Sequence, residues 1–185
     1  MTERIRIPGR RDVRASLDSA DTAAGEAESV VVACPPHPQM RGDRHDSRLQ
    51  GVSDAVTGRG IDCLRFDYGP WDEGRGERTD VRNALAWAAE RYDRVGLFGF
   101  SVLSALAPAA QVADDGDVVA ALDHIQCPVQ VVYGERDDTA DWEPVVERAR
   151  ALGYEVVGLP ADHFFVGQQA KAADRVCAFL CGHLG

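Results

Sequence analysis

The chain has 185 residues, enough for one domain with a real core. Apolar residues make up 45% and charged residues 27%, the balance of a globular protein. The net charge is -10, which disfavours nucleic acid and anionic membranes as partners. No apolar run reaches membrane-spanning length, and Met1–Ile5 lacks the layout of a signal peptide, so the expected location is the cytoplasm.

Lys171 is the only lysine; every other basic residue is arginine. Acidic, lysine-poor chains resemble proteins of salt-loving organisms, in which concentrated salt screens surface self-repulsion. Five cysteines, an odd count without a shared spacing, read as small buried hydrophobes in a reducing compartment. Cys177, Cys181 and His183 do not read as a metal site, because no second ligand pair has zinc-type spacing. No cofactor is implied.

In chain order, residues 1–28 supply edge strands and a loose loop, with a strand at about 13–17. Ser29–Cys34 is a continuous β-branched run ended by prolines, which suits a strand buried on both faces. A helix is expected over 46–57, then a strand over 61–66. A helix capped by Thr79 runs to Tyr92, with Val81, Ala84, Leu85, Ala88 and Tyr92 on one face. Further strands lie at 94–100, 128–133 and 154–159, with a short helix at about 117–124 and a longer one over 141–152. A final helix spans about 166–182. Strands alternating with amphipathic helices predict a single α/β domain over residues 1–185. Its sheet is doubly wound and mainly parallel, the middle of three layers.

Sites in such sheets form at the carboxyl ends of strands. After the strand at 94–100 stands Ser101, two residues past Gly99, as in a nucleophile elbow. After 128–133 comes Gly134-Glu135-Arg136-Asp137, whose acid can orient an imidazole. After 154–159 comes Pro160-Ala161-Asp162-His163, whose histidine can act as a general base. Three chemistry-bearing residues at strand ends, in the order Ser, Asp, His, point to nucleophilic catalysis. Asp138 rivals Asp137, and Asp162 is read as a loop residue.

These segments, with Cys34-Pro35-Pro36-His37-Pro38 and Leu64-Arg65-Phe66-Asp67-Tyr68-Gly69, resemble the α/β-hydrolase superfamily. The nearest look is to its small, lid-less, dienelactone-hydrolase-like serine hydrolases. The resemblance runs from about residue 29 to the end. It implies a Ser101–His163–Asp137 triad acting on a small ester or related acyl compound. It also implies an oxyanion hole made by the N–H groups of Gln39, since Pro38 has none, and of Val102. The segment behind the serine departs from the pattern. Leu103 stands where the elbow has glycine, Pro108 stops a helix early, and only 26 residues separate Ser101 from Pro128. The expected consequence is loss of the helix behind the nucleophile. The alternative reading is therefore an impaired relative that binds a ligand or partner.

Three further features carry expectations. Arg41–Asp46 reads as a solvated loop capping the helix at 46–57. Gly69–Arg78 is a possible wall of the site. Trp142 suits either a pocket lining or packing, and His37 a structural hydrogen bond.

Overall fold

The computed structural model describes residues 1–9, 11–21, 25, 27–100 and 118–185. Ser101, Val102 and the segment in which a helix was expected to be lost lie outside the described residues.

Seven strands are described: β1 (Thr2–Ile7), β2 (Val13–Asp18), β3 (Ser29–Cys34), β4 (Asp62–Asp67), β5 (Arg94–Gly99), β6 (Gln130–Gly134) and β7 (Glu155–Leu159). The helices are α1 (Ser47–Thr57), α2 (Arg75–Ala89), α3 (Val118–Ala121), α4 (Glu143–Ala151) and α5 (Gln169–Leu184). A five-stranded sheet has the order β1-β2-β4-β3-β5, and β6 pairs with β7 in a two-stranded sheet. β3 runs parallel to both β4 and β5, and β6 parallel to β7. β2 is antiparallel to both its neighbours.

The strand expected at 13–17 is thus interior, and β1 is the outer strand. β1 escapes periodicity because an edge strand needs little apolar surface: of its residues only Ile7 is buried. β3 is buried along its whole length. Its side chains alternate, so Val30, Val32 and Cys34 join the core under α2 while Val31 and Ala33 join that under α1 and α5. Val131 and Val156 pack toward α4, and Val132 and Val157 toward the α5 side. Helices on both faces of the strands make three layers.

α2 begins four residues before Thr79. The Glu77 carboxylate accepts from the N–H groups of Gly74 (2.9 Å) and Asp72 (3.1 Å) and so caps the helix start. Thr79 is internal, its hydroxyl donating to the Arg75 carbonyl. The segment before α2 is fixed by Arg11. Its guanidinium lies against Asp72, Glu77 and the fully buried Asp80, and it donates to the Pro70 carbonyl. Cβ atoms at Gly69 and Gly76 would collide with that guanidinium, so the two glycines form its slot.

A second polar network ties β2, β4 and α1. Arg65, itself buried, donates through Nε to Asp18 (2.6 Å), which also accepts from Ser53 (2.6 Å) and Thr2 (2.7 Å). Burial pulls the Asp18 carboxyl upward, but these partners outweigh it and hold the group below its ordinary value.

Cys34 and Cys63 are buried, and burial pushes both thiols up to about 12. Cys127 is exposed, contrary to the buried reading. It lies just before β6 begins, outside the strand that would have covered it. Cys177 and Cys181 touch at 3.4 Å, while His183 places Nδ1 2.9 Å from the Phe179 carbonyl oxygen. No described helix is long and apolar enough to cross a membrane.

Candidate active site

Two loops at the carboxyl ends of β6 and β7 are zipped together. The Glu135 N–H donates to the Leu159 carbonyl (2.8 Å) and the Arg136 N–H to that of Ala161 (3.0 Å). Gly134 permits the approach: a Cβ there would stand 2.6 Å from the Ala161 carbonyl oxygen and 2.7 Å from that of Asp162. The zip brings Asp137 to His163.

His163 Nδ1 lies 2.8 Å from Asp137 Oδ2. The other carboxylate oxygen, Oδ1, accepts from the backbone N–H groups of Thr139 (2.9 Å) and Ala140 (3.0 Å). Trp142 Nε1 donates to the Asp137 carbonyl (3.0 Å), and the Trp142 ring stacks on Tyr133 at 4.6 Å. Burial raises the Asp137 carboxyl, but hydrogen bonds from His163, Ala140 and Thr139 more than offset it and hold it below its ordinary value. A neutral imidazole that gives its Nδ1 proton to this carboxylate keeps its lone pair on Nε2, the arrangement a general base needs.

Asp138 takes no part in this. Among the described residues its Oδ1 accepts from the Thr139 hydroxyl at 3.4 Å. Asp162 shapes the loop instead, accepting from the N–H groups of Phe164 (3.1 Å) and Val166 (3.0 Å).

An aromatic and cationic frame surrounds His163. Phe100, the last described residue before Ser101, meets the imidazole edge-on at 5.5 Å, and Phe164 does so at 5.1 Å. The Arg48 guanidinium lies 3.7 Å over the Phe100 ring and 5.8 Å from that of Phe164. Asp46, the N-cap of α1, grips Arg48 at both Nε and Nη2. Arg48, Phe100, Asp137, Trp142 and His163 line one cavity. Nothing in the sequence marked Arg48, because its partner Phe100 is remote in the chain.

The loop after β3 forms a turn over Pro38–Met40, and the Arg41–Asp46 loop ends in the α1 cap, the role expected of it. The Gln39 N–H donates to His37 Nδ1 at 3.3 Å, and the His37 ring tilts against Trp71 at 4.4 Å. Among the described residues no group of three or more His, Cys, Asp or Glu is placed to hold a metal ion.

No protein-family model matches the chain, and no curated protein matches it. Solved structures do. An α/β serine hydrolase homologue from Coxiella burnetii has a TM-score of 0.80 at 22% identity, over 95% of this chain and 96% of its own. The fold is that of the α/β-hydrolases. A lid-less α/β serine hydrolase from Xanthomonas campestris gives 0.78 at 18%, covering 99% and 95%. A dienelactone hydrolase from Anabaena variabilis gives 0.74 at 16%, covering 100% and 99%. In the chain, Ser101, Asp137 and His163 follow β5, β6 and β7 respectively.

Proposed function

We propose that the protein is a serine hydrolase of small esters or related acyl compounds, working without a cofactor. The Asp137–His163 hydrogen bond, with Asp137 Oδ1 fixed by two backbone N–H groups, carries the reading. Ser101 attacks the acyl carbon as His163 Nε2 takes its proton. An acyl-enzyme forms, and the protonated imidazole passes the proton to the departing alcohol. Water then attacks the acyl-enzyme with His163 again as base, releasing the acid. Asp137 holds the tautomer and stabilises the imidazolium. The N–H groups of Gln39 and Val102 receive the oxyanion. The names of the solved structures, serine hydrolases and a dienelactone hydrolase, support this class.

A second reading, a ligand-binding relative without turnover, is favoured by one observation: the Gln39 N–H is already given to His37 Nδ1. A fluorophosphonate probe and p-nitrophenyl acetate separate the two. We expect labelling of the wild type, none of Ser101→Ala, and loss of turnover in that variant on the order of a thousandfold or more. Absence of wild-type labelling in both dilute and molar-salt buffer overturns the hydrolase reading.

A further inference from the structure

The described residues include five large apolar side chains that are well exposed: Met1, Met40, Trp71, Phe164 and Val166. Apart from the N-terminal methionine, all of them lie on the loops at the carboxyl ends of β3, β4 and β7. They belong to those loops and not to the wall of the cavity. Scattered exposed hydrophobes are ordinary, whereas four that all lie on loops following the carboxyl ends of strands are not.

Their attachments tie one pair to His163 and the other to the turn that holds Gln39. The Phe164 ring packs on His163, and Val166 lies further along the same loop, held through its N–H by Asp162. Trp71 packs on His37, the residue that accepts the Gln39 N–H, and Met40 is the next residue in that turn. If Gln39 and His163 serve the ester as proposed above, its carbonyl sits between them, and its two substituents extend onto these apolar residues.

Charge argues in the same direction. The chain carries a net charge of -10. Arg48, the cation beside His163's aromatic frame, is gripped by Asp46 at both Nε and Nη2 and lies over Phe100. Arg48 is therefore already paired where an anionic substrate group would meet it, and such a group also approaches a chain of net negative charge.

We infer that Met40, Trp71, Phe164 and Val166 form an apolar subsite that selects neutral esters with a chain of several carbons over acetates and over anionic esters. The inference rests on the hydrolase reading for its position but is testable apart from it. A fully buried methylene is worth about fourfold in binding, and partial cover on a rim gives less.

The test compares kcat/KM for p-nitrophenyl acetate, butyrate, hexanoate and the anionic monosuccinate. We expect hexanoate to exceed acetate about tenfold, and the monosuccinate to fall about tenfold below butyrate. In Trp71→Ala and in Val166→Ser the hexanoate-to-acetate ratio should drop at least threefold. A flat chain-length profile, or preference for the monosuccinate, overturns the subsite. If no ester is turned over and Ser101 is not labelled, the hydrolase reading fails. The subsite is then decided by ligand-observed NMR with two neutral ketones that have no ester bond. Tighter binding of 2-octanone than 2-butanone, weakened in Trp71→Ala, supports it, and equal binding overturns it. A dimer in gel filtration that Trp71→Ala dissociates also overturns it, by showing that a second copy covers the rim.

Discussion

Asp137 and Asp138 are neighbours of identical chemistry, and they separate at the scale of single atoms. Asp137 has both oxygens occupied, by His163 on one side and by the N–H groups of Thr139 and Ala140 on the other; among the described residues Asp138 accepts from the Thr139 hydroxyl. Replacing Asp137 with Asn supplies an amide where an acceptor is needed and favours the wrong tautomer. We expect ester turnover to fall on the order of 10³–10⁴-fold in Asp137→Asn, and by less than about threefold in Asp138→Asn. Because the folded carboxyl of Asp137 lies below its ordinary value of 3.8, it stabilises the fold above that pH. The contribution drains as pH falls below it. Acid unfolding monitored by circular dichroism should show a shallower limb below about pH 4 in Asp137→Asn than in the wild type.

Elements set the distance between those atoms. The loops after β6 and β7 meet through backbone hydrogen bonds, and Gly134 is where they pass closest. Its neighbours are carbonyl oxygens of Ala161 and Asp162, which cannot swing aside as a side chain would. Gly134→Ala should therefore cost about 1–3 kcal/mol in denaturant unfolding and lower kcat more than it raises KM, since the acid and base separate. Arg65 performs a comparable task elsewhere, joining β4 to β2 by its bond to Asp18, with Ser53 of α1 on the same oxygen. Removing the cation leaves a largely buried carboxylate without its counter-charge. Arg65→Met should destabilise by roughly 3–5 kcal/mol. Part of that loss should be recovered in the double variant with Asp18→Asn, where no charge is stranded.

At the scale of the molecule, charge dominates. Thirty acidic residues against twenty basic ones produce self-repulsion that dilute buffer screens poorly. We expect the melting temperature to rise by several degrees between dilute buffer and molar KCl, a measurement for which a salt-independent melt is the opposing result. The same charge, together with the exposed apolar residues on the loops after β3, β4 and β7, is the basis for the neutral substrate proposed above.

Much of this organisation is legible in the chain. Ser29–Cys34 reads as a buried strand because strands covered on both faces need unbroken apolar runs. Asp137 and His163 stand out because each lies just past the carboxyl end of a strand. Other features are not legible. β1 carries almost no apolar signal, since an edge strand buries little. The start of α2 rests on a glutamate reaching back to Gly74, which the apolar period does not report. The alternation of strands and helices and the candidate acid and base are written in the sequence alone, because burial period and strand-end position are local properties. Tertiary structure was needed to show Asp137, not Asp138, hydrogen-bonded to His163, to bring Arg48 and Phe100 to His163, and to leave Met40, Trp71, Phe164 and Val166 exposed on the loops after β3, β4 and β7. Those choices depend on hydrogen-bond direction and on contacts between residues far apart in the chain.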